Sequence, residues 1–252
     1  MKRNLFLLIT LLAVSATTFA QKPSVESIRK RLSLGFGVYT DIWTKVPDSI
    51  NPRSINQGVD VYIHYTFPMD KKGHISFFIG GGIGAHNFYN QALLGTGKYN
   101  AYGKVLTNPN LTSINESYFY NAPAKAIFNG QTVAAQSISV KKSKLSLTYL
   151  DVPFGFQYKA TSKFHGTLGF IVGWNINAHT KYKGSDLEGS GSQVVEKSLK
   201  LRNIEKFHYG PFAEIGYKWV GASVFYQLSS VFQKDLGPQI APVSVGLVFR
   251  PF

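Results

Sequence analysis

Few residues of this 252-residue chain are spaced for chemistry. His74-Ile75-Ser76 is its one His-x-Ser, and a base beside a hydroxyl can make that hydroxyl a nucleophile. Scattered serines, histidines and aspartates elsewhere form no recognisable triad. The six histidines lack metal-ligand spacing, so no metal is expected. Cysteine is absent, which removes thiolate sites and disulfides. Gly80-Gly81-Gly82-Ile83-Gly84 has the glycines of a phosphate loop but neither the closing Lys-Ser/Thr nor a helix after it. Glycines in a strand more often permit bending and close packing. The chain is therefore expected to be neither an enzyme nor a cofactor protein.

What remains is a row of polar residues inside otherwise apolar segments: Asp60, His64, Asp151, His165, His208, Glu214, Lys218 and Arg250. Side chains alternate faces along a strand, so these residues share one face and apolar residues the other. If that face is enclosed, its charges must pair, because an unpaired buried charge is costly. Glu214 then pairs with Arg250 or Lys218, and Asp60 with a neighbour. A proton or small-ion path along the row is the alternative.

The elements that position this row are strands. Leu32, Leu34, Phe36 and Val38 alternate with Ser33, Gly35, Gly37 and Tyr39. Residues 41–56 read as a loop with Pro47, Asp48, Asn51 and Pro52. Further strands are predicted at 57–67, 74–88, 143–159, 164–181, 206–219, 222–233 and 241–252. In the fourth, Leu145, Leu147 and Tyr149 are out of phase with Val152, Phe154, Phe156 and Tyr158, which predicts a bulge near Leu150. The tightest turn is placed at Val220-Gly221. Connections alternate long and short, with long ones at 89–142 and 182–205. This predicts an all-β, eight-stranded antiparallel transmembrane up-and-down β-barrel with short periplasmic turns, long outer loops and both termini in the periplasm. Closure is needed because an open sheet edge leaves backbone groups unpaired in lipid. Eight strands enclose a lumen that side chains fill. A soluble sandwich or lipocalin-like barrel has the same alternation with its apolar face inward. The bulky aromatics on the apolar face, with both ends of the chain, decide for the membrane. The His74/Ser76 pair would then lie at the periplasmic end and face inward, whereas lipid A deacylases hold such a pair toward the outer leaflet.

Residues 1–20 read as a signal peptide: Lys2 and Arg3, an apolar run from Leu5 to Val14, and Ala20 before the cleavage point. Residues 21–252 are then one barrel domain. The formal charge is +14. Outside the cell a basic surface excludes nucleic acid as the natural partner and suggests lipopolysaccharide phosphates. A merely solvated basic surface is the alternative.

The terminal segment Ala241–Phe252 resembles the C-terminal signal that outer-membrane assembly machinery reads. Tyr149-Leu150-Asp151-Val152-Pro153, continuing to Phe156-Gln157-Tyr158-Lys159, resembles a segment of PorT-like outer-membrane barrels of Bacteroidota. That resemblance implies an eight-stranded barrel with a structural or partner-binding role, possible service in type IX secretion, and secretion-system proteins as partners. A lipid A-modifying enzyme and a narrow ion channel are the alternatives. The long loop at 89–142 is the expected working surface, since loops above about 15 residues are usually functional or disordered. Its aromatics Tyr99, Tyr102, Tyr118, Phe119, Tyr120 and Phe128 suit an interface core, or fold the loop on itself. Its lysines Lys98, Lys104, Lys125, Lys141 and Lys142 suit phosphates or an acidic partner.

Overall fold

The computed structural model describes residues 28, 31–46, 52–96, 99–100, 116–121, 127–128, 131–132, 140–186, 192–199 and 201–250. Among the described residues there are fourteen strands: β1 (Leu32–Thr44), β2 (Gln57–Pro68), β3 (Ile75–Asn90), β4 (Ala92–Thr96), β5 (Tyr99–Asn100), β6 (Ser117–Asn121), β7 (Ile127–Phe128), β8 (Gln131–Thr132), β9 (Val140–Lys159), β10 (Phe164–Ser185), β11 (Gln193–Ser198), β12 (Phe207–Tyr217), β13 (Val220–Tyr226) and β14 (Ala241–Phe249). Eight of them close a ring in the order β1-β2-β3-β9-β10-β12-β13-β14, antiparallel throughout. The first and last strands meet in the seam, from Phe36 opposite Phe249 to Thr44 opposite Ala241. This is the eight-stranded barrel that the alternation predicts.

The outer wall is apolar. Leu34, Phe36 and Val38 on β1, Val59, Val61 and Ile63 on β2, and Leu150, Val152 and Phe156 on β9 are all exposed. Aromatic rings border this belt. Tyr65, Tyr217 and Trp219 lie at the end with the short turns, and Trp174 stacks on Phe207 at the other. Such girdles mark the two membrane interfaces. Both described chain ends, Arg31 and Arg250, lie at the short-turn end. There the Asp70 carboxylate accepts a hydrogen bond from the Ile75 amide at 2.8 Å. That bond, with help from the His74 and Lys72 amides, holds its carboxyl below the usual range.

Several boundaries differ from the sequence reading, and those toward the long-loop end share one cause. Strand β9 has no bulge near Leu150: its pairing with β3 keeps one register from Phe154 to Ser143. From Ser143 to Gln157 its odd-numbered residues face inward. Below Leu150 the inward row is Asp151, Gly155 and Gln157, and the outward row is apolar. Above it the inward row is Tyr149, Leu147 and Leu145, all buried, and the outward row is Thr148, Ser146, Lys144 and Lys142. The phase change is therefore one of environment, not of backbone. Above Leu150 the strand has left the lipid, so its apolar face turns to the interior, as in a water-soluble protein. The bulge near this height is across the pair in β10, between Asn175 and Asn177, and a second register shift lies between Lys183 and Gly184.

The same emergence explains the other differences toward the long-loop end. Residues 41–44 continue β1, with Asp41 and Trp43 buried, where the sequence suggested a loop. Strand β10 runs on to Ser185 and pairs there with β11, within the expected 182–205 loop. The seventh strand ends at Tyr226. Beyond it the Leu228 amide still donates to the Tyr209 carbonyl at 2.8 Å, and Val231 and Phe232 then turn into the core. At the short-turn end the tightest turn is Lys218-Trp219, with Lys218 at φ 55°, two residues before the expected Val220-Gly221.

Trp43, Phe88, Leu94, Phe119, Leu145, Leu147, Phe232 and Ile240 form the largest apolar core, and it lies above the belt. Ring contacts tie it together: Trp43 with Phe88 at 5.4 Å, Trp43 with Phe119 at 5.8 Å and Phe119 with Phe232 at 5.8 Å. Strands β4 and β6 carry Leu94 and Phe119 into it. The barrel is thus capped at its long-loop end by a hydrophobic core contributed partly by loops.

An arginine on the lipid face near the bilayer midplane of a barrel costs about 2–4 kcal/mol. Leu168 is 69% exposed within the belt. Leu168→Arg should lower the unfolding free energy in lipid vesicles by that amount, whereas Lys142→Arg, above the belt, should leave it unchanged.

Candidate functional site

The lumen within the belt is polar, and three groups of contacts fill it. At the short-turn end Arg250 Nη2 pairs with Glu214 Oε2, and His165 Nε2 lies 3.4 Å from Glu214 Oε1 without hydrogen-bond alignment. Arg250 Nε donates to the Tyr62 hydroxyl at 3.1 Å, and its guanidinium lies 5.7 Å from that ring's centre. Tyr62 stacks on His64 at 4.4 Å, and His64 on Phe78 at 4.7 Å.

In the middle the Tyr39 hydroxyl and Asp60 Oδ1 both stand over Gly37. His208 Nε2 lies 2.6 Å from Asp151 Oδ1, and its ring stacks on Tyr149 at 3.8 Å. This pair exists because Gly173 faces it. A Cβ at Gly173 would stand 2.0 Å from Asp151 Oδ1 and 2.1 Å from His208 Nε2. Toward the long-loop end, Asp41 accepts from Ser244 Oγ at 2.5 Å and meets His86 Nδ1 at 3.0 Å. The Asn56 side-chain amide donates to the Asp41 carbonyl at 2.8 Å.

Of the residues expected in this network, Asp60, His64, Glu214 and Arg250 line the lumen. Lys218 does not. It is exposed in the turn after β12, with its ammonium 5.4 Å from the centre of the Tyr217 ring. A positive φ in a two-residue turn swings it off the inward row. The sequence reading missed Asp41, assigned to a loop, and His86, which no motif marked. Had the alternation been followed past Tyr39, Asp41 would have fallen on the inward row.

Among the described residues these contacts do not form a catalytic triad. Ser244 and His86 meet at the same carboxylate and not each other, so no base is aimed at the serine hydroxyl. Among the described residues no group of three or more histidines and acids could hold a metal ion. A cavity of about 60 Å³ lies beside Glu214, His64 and His208. Each of them points an unpaired polar atom inward, Glu214 Oε1, His64 Nε2 and His208 Nδ1. Roughly four waters fit a cavity of that size at 10–15 Å³ each. An open vestibule of about 330 Å³ lies below, at the short-turn end, lined by Lys159, Lys163, His165, Lys218 and Arg250.

The loop aromatics divide. Phe119 is buried in the cap, not offered to a partner. Tyr118 is half-buried, with its ring over Gly95. Tyr99, Tyr120 and Phe128 fall in β5, β6 and β7. Tyr102 lies outside the described residues, as do Lys98, Lys104 and Lys125. Lys141 and Lys142 are exposed at the start of β9.

A lipid-facing apolar belt around a polar lumen is the arrangement of an outer-membrane barrel, and the family model "outer membrane protein beta-barrel domain" matches residues 12–233. The chain belongs to that family. Its location is accordingly the outer membrane. Among solved structures, it is similar to Ail, the attachment invasion locus protein of Yersinia pestis, at 11% identity over 87% of this chain and 97% of that one, with a TM-score of 0.37. It is also similar to a mutant porin of Rh. blastica, at 12% identity over 87% and 99%, with a TM-score of 0.20. A comparison with curated proteins finds no match.

Removing one partner of a buried ion pair leaves the other uncompensated, at about 3–5 kcal/mol, whereas replacing both by apolar residues is often neutral. Glu214→Met should therefore destabilise the barrel by that amount in urea titrations in detergent micelles. Glu214→Met with Arg250→Met should recover most of the loss.

Proposed function

We propose that this barrel is a sealed outer-membrane scaffold that works through the structure at its long-loop end. The observation that carries the proposal is the double closure. Paired side chains fill the lumen, and the Trp43-Phe88-Phe119-Phe232 core caps it. An eight-stranded barrel has no bore to spare, and an apolar cap above a lumen filled by side chains leaves no continuous aqueous path. Conduction of solutes is therefore not its work in this reading. Binding and structural support are.

In this reading the short turns and both described chain ends face the periplasm, as short turns do in bacterial barrels. The capped end faces outward. The Tyr149–Pro153 segment supports a place among PorT-like barrels of Bacteroidota, with service in type IX secretion and secretion-system proteins as partners. That segment sits where β9 enters the lipid. Leu150 and Val152 face outward, Asp151 holds His208, and Tyr149 closes the lumen above it. The C-terminal strand would be the contact for the assembly machinery.

Two measurements test the proposal. In planar bilayers the purified barrel should show no stable conductance on the scale of a porin, and Phe119→Ala with Phe232→Ala should raise brief openings only. Stable porin-scale current from the wild-type protein overturns the sealed scaffold. A deletion strain should retain type IX cargo inside the cell and regain secretion on complementation. Unchanged secretion removes the secretion role and leaves the scaffold.

A further inference from the structure

The outer wall above the belt carries a basic array that the lumen does not explain. Lys144 on β9, Lys181 on β10 and Lys197 on β11 are direct cross-strand partners in one row. In the next row up, Lys142 stands opposite Lys183. All five are on outward positions. Lys142, Lys181, Lys183 and Lys197 are exposed, and Lys144 is half-buried. Directly opposite residues have Cβ atoms about 5 Å apart, and like charges there are destabilising. Lys144 experiences the charges of Lys142, Lys181 and Lys197.

Among the described residues no acid stands in register with them on this face, and Asp186 and Glu188 follow in the β10–β11 connection. The outward positions above Leu150 on β3, β9, β10 and β11 carry no aspartate or glutamate. Glu196 on β11 is in register with Tyr182, whose side chain is buried, so it projects to the opposite face. Between Tyr89 and Lys142 the sequence holds one acid, Glu116. The flank adds more cation: Arg53 and Lys142 both lie over the Tyr89 ring, at 5.9 and 4.9 Å. Lys144 is held in place by its hydrogen bond to Asn87 Oδ1 at 2.7 Å.

Height identifies what could neutralise the array. Lys144 is six residues beyond Leu150, about 20 Å along the strand at about 3.3 Å per residue. At a strand tilt of about 40° that is roughly 15 Å above the belt. The headgroup layer of an ordinary bilayer adds only about 5–8 Å to each side of the hydrocarbon. The array therefore stands above phospholipid phosphates, at the level of phosphates carried on the sugars of a glycolipid.

We propose that Lys144, Lys181 and Lys197, with Lys142 and Lys183 above them, form a binding site for phosphorylated sugars of the outer-leaflet glycolipid. The three-lysine row takes one phosphate and the upper pair takes another, so the repulsion among them is relieved on binding. The site rests on the capped end facing outward. Labelling of Lys197→Cys in intact cells with a membrane-impermeant reagent tests that orientation separately.

The site itself is tested with purified barrel in dodecyl maltoside, titrated with diphosphorylated lipid A and with the same lipid after phosphate removal. The phosphorylated lipid should bind tighter and raise the temperature at which the folded gel band is lost. Lys181→Gln with Lys183→Gln and Lys197→Gln should weaken binding on the order of 100-fold, at about fivefold for each lysine beside an anionic lipid surface. A control with the same charge change at the other end, Lys71→Gln with Lys72→Gln and Lys163→Gln, should bind as wild type. Equal binding of the dephosphorylated lipid, or equal weakening in both triple variants, overturns the site. Displacement of lipid A by millimolar inorganic phosphate keeps the anion chemistry but overturns the lipid as occupant.

Discussion

Everything in this molecule depends on the seam between β1 and β14. In lipid no water pairs a stray N–H or C=O, so a sheet survives there only if it closes. Nine residues of each strand meet across the seam, from Phe36–Phe249 to Thr44–Ala241. Close approach is required at this point. A Cβ at Gly246 would stand 2.1 Å from the Val38 carbonyl oxygen. Once the ring has closed on eight strands, its pleat fixes the rest. Every second residue faces lipid, and every other one faces a lumen too narrow for bulk water. The polar residues inside must then pair with one another, and Arg250–Glu214, Asp151–His208 and Asp41–His86 do so, each across one intervening strand. Glycines on the inward row are part of that solution: Gly173 and Gly37 leave the volume that the paired side chains occupy.

A second constraint appears where the strands outgrow the membrane. A strand crossing from lipid to water keeps its pleat, but the preferred face for apolar residues reverses. On β9 the reversal falls at Leu150 and is complete within two residues. Above it the same sheet builds an ordinary hydrophobic core, with Trp43, Leu145 and Leu147 from the barrel and Phe119 and Phe232 from the connections. The cap and the basic outer array are two faces of this one reversal. Inward positions gained Leu and Trp, and outward positions gained Lys. The capped end thus has a rigid support and a charged exterior, which is what a binding surface requires.

The belt was legible in the sequence because lipid outside and polar groups inside give a clean period of two. Leu32 to Val38, Val59 to Phe67 and Val243 to Phe249 show it directly. The polar row was legible for the same reason, which is why Asp60, His64, Glu214 and Arg250 could be named. What failed was the assumption that the apolar face stays on one side. It turned the emergence of β9 into a bulge and hid Asp41, whose neighbours Thr40 and Trp43 no longer fit the pattern of lipid outside. It also left β11 inside a loop, because Gln193 to Ser198 has no apolar row. Lys218 was assigned to the lumen because period two was carried one residue into a turn. The aromatics of the long connection gave no positional signal, since Phe119 packs against residues more than seventy positions away in sequence on one side and more than a hundred on the other.

The reversal at Leu150 can be read directly with nitroxide labels placed singly along β9 in lipid vesicles. Accessibility to oxygen, which concentrates in lipid, is compared with accessibility to a water-soluble nickel reagent. Labels at 152, 156 and 158 should be oxygen-accessible, and labels at 142, 144 and 148 nickel-accessible. Labels at 145 and 147 should be shielded from both. Oxygen accessibility that continues upward through 144, or that moves to 145 and 147, would contradict the account.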